Sequence, residues 1–236
     1  MKIIKNEKLI ERKGKIGRWA SLSGIILVVI PLFLYTQALI NSDFESLNVT
    51  LFMALTLGGM VVSQVGMYMG SRYGRSPRPD EKLDAGLKGL PGDFSMYHYV
   101  APASHLLVGP AGIWILMPYH QGGQVTFKKN RWRLSGGGFM QGYMRIFGQE
   151  GLGRPDIEIE GEINSLKKFL AKQIDESQIP QVNALIVFTS DAVEIEDEDA
   201  PIPALKVNQI KEFMRRKAKE RGISSDALNK IKAVLE

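Results

Sequence analysis

The chain has 236 residues, of which 44% are hydrophobic and 23% charged, a balance that excludes a disordered or fibrous protein. It contains no cysteine, which excludes disulfides, iron–sulfur clusters, thiolate zinc sites and cysteine nucleophiles. Residues 1–18 carry a net charge of +5, whereas residues 81–236 hold 20 basic and 20 acidic residues. The basic character therefore belongs to the flanks of an apolar segment and does not indicate a nucleic-acid-binding domain.

Two uncharged stretches predict a transmembrane helical hairpin. The first covers residues 19–41 and the second residues 49–70. A helix of about 22 residues is roughly 33 Å long, which is enough to cross the hydrocarbon core of a bilayer. Two buried core helices or a cleaved signal peptide are disfavoured by the length of the first run and by the second run that follows it. Neither stretch contains Asp, Glu, Lys, Arg or His, which argues against an ion pathway or transporter.

Basic residues predict the orientation of the hairpin. Seven Lys and Arg residues precede the first span and three follow the second, whereas residues 42–48 contain none. By the positive-inside rule, residues 1–18 form a cytoplasmic N-terminus, residues 42–48 an external loop and residues 71–80 a cytoplasmic linker. The sequence therefore predicts an integral protein of the cytoplasmic (inner) membrane with two spans and both termini in the cytoplasm.

Small residues form one stripe on the second span, at Gly59, Ser63, Gly66 and Gly70. Such a stripe lets two helices approach closely. Packing against the first span is the simpler interpretation, and docking to another protein is the alternative. The expected partners are membrane lipid and either another membrane protein or a second copy of this chain, while nucleic acid is not favoured.

Residues 81–236 predict a cytoplasmic α/β domain with a mixed β-sheet flanked by helices. A leucine-bearing helix at 81–90 precedes strands near residues 94–100, 104–108, 113–117, 124–127 and 131–134. The role of the Gly-rich stretch 135–153 stays open. An amphipathic helix that includes residues 159–170 follows, and then a buried strand at Val182–Phe188, an acidic loop at 194–199, a short strand at 204–207 and helices at 209–221 and 225–235.

The segment Ser-His-Leu-Leu-Val-Gly-Pro-Ala-Gly-Ile-Trp-Ile-Leu, residues 104–116, resembles the core of the nuclease-related domain (NERD) family. That family is similar to the PD-(D/E)xK nucleases, and its motif has a Gly-Pro-x-Gly turn between two apolar strands. Gly122-Gly123-Gln124-Val125, Trp132 and the later order of helix, strand and helix agree with it. The resemblance covers roughly residues 80–215 and implies a restriction-endonuclease-like fold for the domain that follows the hairpin.

The resemblance also implies which positions would carry catalysis, and these have changed. The family's Asp falls on Ser104, its Glu and Lys fall on Met117 and Tyr119, and Glu81 remains as a helix acid. Mg²⁺ prefers carboxylate oxygens, which neither a methionine nor a neutral tyrosine supplies. We therefore expect no catalytic residue, no bound metal and no cofactor.

Other candidate sites are weaker. His98, His105 and His120 have no acid at a shared metal-ligand spacing, so a three-histidine metal site is disfavoured.

The 209–221 helix carries basic residues that are a candidate contact for an anionic surface, although a solvated helix face is favoured. These residues are Lys211, Arg215, Arg216 and Lys219. Apolar residues within 139–147 fit either a loop packed on its own domain or a loop that touches a membrane or partner.

The preferred hypothesis is a membrane-anchored, catalytically inactive nuclease-like domain that acts as an interaction or accessory component of a membrane assembly. One alternative is a membrane-tethered, metal-dependent nuclease with a rearranged active site, which the loss of carboxylates at Ser104 and Met117 disfavours. The other is a nucleic-acid-binding protein that does not cleave. The zero net charge of residues 81–236 disfavours it, because phosphate contacts need Lys and Arg.

Overall fold

A computed structural model describes residues 1–41, 48–135, 151–197, 199–220 and 224–236. The chain divides into two compact units. Glu7–Arg78 form a helical unit, and Met1–Asn6 combine with Pro79–Glu236 to form an α/β unit. The apolar residues 139–147 and most of the predicted external loop lie outside the described residues.

The helical unit consists of α1 (Glu7–Ile40), α2 (Val49–Met69) and a π-helical turn at Gly70–Gly74. Both α-helices are long and apolar enough to cross a membrane. Most of their large apolar side chains are exposed, as a surface that faces lipid requires. Helix α1 begins twelve residues before the predicted span, so most of the basic segment 1–18 is helical.

Glycines allow α1 and α2 to pack with their backbones close together. A Cβ atom added to Gly66 would lie 2.2 Å from the backbone nitrogen of Ser21, and one added to Gly59 would lie 2.9 Å from the carbonyl oxygen of Gly24. The buried residues of α1 recur every seven positions, which is the repeat of two helices that coil around each other. They are Ile10, Gly17, Gly24 and Pro31.

The predicted small-residue stripe lies mainly on this helix–helix contact. A Cβ atom on Gly24 would meet Ser63 Oγ at 2.3 Å, so Ser63 joins Gly59 and Gly66 against α1. Gly70 begins the π-helical turn and lies against Gly17 through its backbone nitrogen, whereas a Cβ atom on Gly70 would point into open space.

The α/β unit contains short strands and four described α-helices. The strands are β1 (Lys2–Lys5), β2 (Ser95–His98), β3 (His105–Gly109), β4 (Gly112–Tyr119), β5 (Gly123–Lys128), β6 (Arg131–Ser135), β7 (Val182–Phe188), β8 (Val193–Glu196) and β9 (Ala204–Lys206). The helices are α3 (Pro79–Leu87), α4 (Pro155–Leu170), α5 (Ile210–Glu220) and α6 (Ser225–Leu235).

A six-stranded mixed sheet in the order β1-β2-β3-β4-β7-β9 forms the centre of this unit. Strands β2, β3 and β4 are an antiparallel meander, whereas β1, β7 and β9 each run parallel to a neighbour. Helices α3 and α5 pack on one face, and α4 and α6 pack on the other. This arrangement confirms the predicted mixed α/β class with helices on both faces of a mixed sheet.

The structure differs from the sequence-based expectation in two strands. Residues 2–5 belong to the sheet, because β1 pairs in parallel with β2, and this pairing partner lies too far along the chain for a local pattern to indicate it. Residues 193–196 form β8, although residues 194–199 were predicted to be an acidic loop. Val193 and Ile195 face inward there, while Glu194 and Glu196 keep the outer face polar. Strands β6, β5 and β8 form a second sheet.

Candidate functional site

The positions that the NERD resemblance singles out meet between β3, β4 and α4. The antiparallel register pairs Leu106 with Ile115, and its continuation places Ser104 opposite Met117. Tyr119 follows two residues later on the same face of β4. The structure therefore brings Ser104, Met117 and Tyr119 to one edge of the sheet, on the face that α4 covers.

Two carboxylates of α4 bind these positions. Ser104 Oγ donates to Glu162 Oε1 at 2.7 Å, and the Ser104 backbone nitrogen donates to Glu162 Oε2 at 3.2 Å. Tyr119 Oη donates to Glu158 Oε2 at 3.2 Å. Glu158 and Glu162 were not predicted as site residues, although their four-residue spacing places them on one helix face.

The sequence of α4 explains why it lies in this position. Pro155 occupies the first turn, where its missing N–H costs nothing, and acidic residues there complement the helix dipole. Ile159, Leu166 and Leu170 are buried in the core against the sheet. Because side chains three and four positions apart share a helix face, this anchoring carries Glu158 and Glu162 to the edge of the sheet.

Met117 and Tyr119 are parts of the hydrophobic core. Met117 is 5% exposed and Tyr119 is 8% exposed, and the ring centroids of Tyr119 and Phe188 lie 6.0 Å apart. In place of a carboxylate and an ammonium group, the strand therefore presents a thioether and a phenol that pack beneath α4.

Glu81 lies on the opposite side of the central sheet from these positions. It belongs to α3, whose Leu83 and Leu87 pack in the other core, whereas Met117 and Tyr119 belong to the core under α4. The carboxylate of Glu162 on α4 contacts Ser104.

The oxygen donors at this site are the carboxylates of Glu158 and Glu162, which accept hydrogen bonds from Tyr119 and Ser104, whereas Met117 supplies no hard oxygen ligand for Mg²⁺. Among the described residues, no group of three or more His, Asp and Glu residues converges as a metal site.

A second polar cluster, buried between β1, β2, β3 and α3, links charged and imidazole groups from distant parts of the chain. Lys5 Nζ lies 3.0 Å from Asp80 Oδ2 and 2.6 Å from Asp84 Oδ2. Asp84 Oδ1 lies 2.9 Å from His98 Nε2, and His98 Nδ1 lies 2.8 Å from His105 Nδ1. His120 is exposed after the end of β4, so the structure pairs two of the three histidines.

The distances constrain the protons of the two histidines. A carboxylate only accepts hydrogen bonds, so His98 Nε2 is the donor to Asp84, and one of the two Nδ1 atoms donates to the other. These hydrogen bonds link β2 and β3 to α3.

Lys5 is the positive member of the cluster. Burial alone would lower the pKa of Lys5, but hydrogen bonds to Asp84 and Asp80 and their negative charges outweigh burial, so that its pKa lies above the ordinary 10.5. Lys5 is thus cationic at neutral pH and compensates a buried carboxylate on α3.

The predicted basic surface of α5 is partly neutralised by its own chain. Arg215 donates to the carbonyl oxygen of Gly89 at 3.0 Å and lies 3.7 Å from Glu212, and Arg216 lies 3.7 Å from Glu220. Lys211 and Lys219 lie on the same helix. A second group of exposed basic residues, which the sequence did not single out, lies at the turn between β5 and β6.

Comparison of the chain with protein-family models, curated proteins and solved structures finds no match in any of the three. The functional interpretation therefore depends on the residues of this chain and on the contacts that they make.

Proposed function

We propose that the protein is a membrane-anchored α/β protein whose nuclease-like domain does not cleave nucleic acid and acts as an interaction or accessory component of a membrane assembly. The observation that carries this proposal is the environment of Ser104, Met117 and Tyr119. Two of these side chains are buried in the core, and Ser104 and Tyr119 are hydrogen-bonded to α4. Positions that would bind a metal and a phosphate in a nuclease serve internal packing here.

The nuclease-like fold is supported by the order of elements. A helix (α3), an antiparallel meander (β2–β4), a longer helix (α4) and a parallel strand (β7) follow one another in the order that the NERD resemblance implies. The Gly109–Gly112 turn joins β3 to β4, as its Gly-Pro-x-Gly motif predicts. Fold alone does not determine activity, so we infer the absence of catalysis from the residues of the site.

The anchor is supported by the length and exposed apolar surface of its helices, and its sidedness is supported by the sheet. Helices α1 and α2 present exposed apolar side chains over lengths sufficient for a bilayer. The segments before α1 and after α2 also belong to one sheet, because β1 pairs with β2. Both ends of a membrane hairpin must then lie on the same side, and the ten flanking Lys and Arg residues favour the cytoplasmic side.

A cleavage assay tests the absence of catalysis. The full-length protein in lipid nanodiscs is incubated with labelled single-stranded and double-stranded DNA and RNA in Mg²⁺ or Mn²⁺, and we expect no products above an EDTA control. Turnover that EDTA abolishes would contradict the proposal. If Glu162→Gln and Glu158→Gln also abolished that turnover while Glu81→Gln did not, the α4 carboxylates would form a rearranged active site.

A second experiment tests the accessory role. The protein is crosslinked in native membranes, purified in mild detergent and weighed by light scattering and mass spectrometry. We expect a stoichiometric complex with another membrane protein or with further copies of the chain. A monomer that purifies alone both with and without crosslinking would contradict an accessory role.

A further inference from the structure

The turn between β5 and β6 presents four cations within six residues. Lys128 ends β5, Lys129 lies in the two-residue turn, and Arg131 and Arg133 lie on β6. Lys129 and Asn130 have φ angles of 54° and 58°, the left-handed conformation that tight hairpin turns require. All four basic side chains are exposed. We call Lys128, Lys129, Arg131 and Arg133 the hairpin cations.

The strand register places three of these cations on one surface. Lys128 pairs directly with Arg131, and Arg133 pairs with Thr126, so the three basic side chains lie on the same outer face. The opposite face carries Phe127 and Trp132, which pack inward. The exposed face is therefore polar and cationic, without an apolar side chain that would insert into a partner.

No described carboxylate forms an ion pair with the hairpin cations. Glu196 on β8 is the nearest acid by register on that face, but Thr126 on the central strand separates it from Arg133. Two strand spacings separate the two backbones by roughly 10 Å. Glu196 instead accepts a hydrogen bond from Gln124 at 2.7 Å.

Like charges directly opposite each other destabilise a strand pair. Lys128 and Arg131 make such a pair, and the chain supplies no compensating anion in its described part. An external polyanion would compensate this arrangement. The net charge of residues 81–236 does not reveal this cationic surface, because their 20 acidic residues lie elsewhere and bring the total to zero.

We infer that the hairpin cations bind the anionic phospholipid headgroups of the membrane that anchors the protein, an inference that rests on the proposed membrane anchorage. The anchor keeps the domain close to headgroups at all times, so weak contacts suffice. Binding of single-stranded nucleic acid by stacking would require exposed aromatic rings, whereas Trp132 is buried and Phe127 faces inward. The hairpin cations would hold the domain on an anionic bilayer by charge alone.

A spectroscopic experiment tests this inference. Because the chain has no cysteine, Asn130→Cys creates one labelling position at the turn. The full-length protein carrying a fluorophore there is placed in nanodiscs that contain a nitroxide-headgroup lipid, with either phosphatidylcholine alone or 30% phosphatidylserine. We expect quenching with phosphatidylserine, little quenching without it, and loss of quenching when salt rises from 50 to 500 mM.

A charge-matched pair of variants separates a local effect from total charge. In the Asn130→Cys background, one variant replaces all four hairpin cations with Gln. The control replaces four exposed lysines of the same unit: Lys88, Lys167, Lys168 and Lys172. Each Lys or Arg near an anionic surface contributes a factor of roughly five to binding, so the first variant is expected to lower the bound-to-free ratio several hundredfold. The control is expected to retain quenching.

The possible outcomes are distinct. Absence of phosphatidylserine-dependent quenching in a nanodisc-incorporated protein, or equal loss in both variants, would overturn the lipid assignment. Hairpin-dependent binding of a labelled 30-base-pair duplex at 150 mM salt, measured in neutral nanodiscs, would also overturn it in favour of nucleic acid. Failure of the chain to co-elute with nanodiscs would instead contradict the anchor itself.

Discussion

Asp80 has a fully buried side chain, and its compensating charge comes from Lys5, 75 positions earlier in the chain. A buried carboxylate that loses its cation keeps its desolvation cost without the attraction that offset it. The ion pair therefore stabilises the fold little more than an apolar pair would. Removal of Lys5 alone is costly, because it leaves the Asp80 carboxylate buried without a cation. Lys5 thus links β1 to α3.

We expect Lys5→Met to lower the free energy of unfolding of the α/β unit by about 3 kcal/mol at neutral pH. Lys2→Met is the matched control, because Lys2 lies on the same strand and contacts Glu236 at 2.6 Å while 57% of its side chain is exposed. Exposed pairs contribute less than about 1 kcal/mol. Urea unfolding of both variants measures the difference, and equal losses would contradict the role of Lys5.

The pKa of Lys5 sets the pH range of this contribution. Because its pKa in the folded protein is raised above 10.5, the stabilisation is fully present below that value and is lost as the pH rises through the folded pKa. The stability difference between wild type and Lys5→Met should thus stay constant between about pH 7 and pH 10 and narrow above it. Urea unfolding at a series of pH values measures this, and a difference that narrows near pH 8 would contradict it.

Tyr97 adds a second alkaline effect in wild type and variant alike. Burial raises its pKa above 10.0, so the unfolded chain releases the phenolic proton first and stability falls above that pH. Because Tyr97 is present in both proteins, its contribution cancels in the stability difference between wild type and Lys5→Met.

At the scale of elements, the contact between α1 and α2 depends on the absence of side chains. Gly24, Gly59 and Gly66 lie where any Cβ atom would meet backbone of the facing helix below 3.0 Å. Helices in lipid gain no hydrophobic stabilisation from contact, so close backbone approach supplies the attraction. A single methyl group in this contact would force the helices apart.

We expect Gly66→Ala to destabilise the hairpin by about 1–3 kcal/mol, the usual cost of overpacking. Gly58→Ala provides the control, since it adds the same methyl group to the same helix at a position with nothing within 4 Å. Denaturation of the refolded protein in mixed lipid–detergent micelles, by titration with SDS, compares the two. Equal effects would show that helix propensity and not packing governs the change.

Patterns within short segments predicted these elements well. The run at Val182–Phe188 forms β7 with the predicted bounds, since a buried strand is continuously apolar. The Gly-rich turn at Gly109–Gly112 separates β3 from β4 as expected. The strands that escaped prediction were β1, whose partner lies beyond the hairpin, and β8, whose glutamates masked the inward-facing Val193 and Ile195.

The sequence predicted the strand residues of the candidate site but not its helix residues. The resemblance placed Ser104, Met117 and Tyr119, which the antiparallel pairing brings together. Glu158 and Glu162 reach them through the packing of α4 on the sheet, and such a tertiary contact leaves no local pattern. The hairpin cations were also missed, because a sum of charges carries no information about where the charges lie.

At the scale of the whole molecule, the two apolar helices interrupt the α/β unit in the sequence. The α/β unit takes its edge strand from before α1 and the rest of its sheet from after α2. An even number of membrane crossings is the only arrangement that lets β1 pair with β2. This pairing and the positive-inside charges point to the same topology.

We expect both ends of the hairpin to be cytoplasmic, because ten Lys and Arg residues flank the two spans and none lies in the loop. Single cysteines at Ser42→Cys and Ser76→Cys test this with a membrane-impermeant maleimide on intact cells. Position 42 is expected to be labelled on intact cells, whereas position 76 is expected to be labelled only after lysis. The reverse pattern would overturn the topology.

The pairing of β1 with β2 also has a consequence for biosynthesis. The two strands begin about ninety residues apart, and at 5–20 residues per second the ribosome needs roughly 5–20 s to add the second after the first. Both spans emerge within that interval. The first strand therefore stays unpaired until β2 is made, and if α1 and α2 span a membrane as we propose, the sheet can close only when both strands lie on the same side. In the proposed topology, a chain whose start lay on the far side of the membrane would leave β2 with an unpaired edge, and such edges invite pairing with other chains.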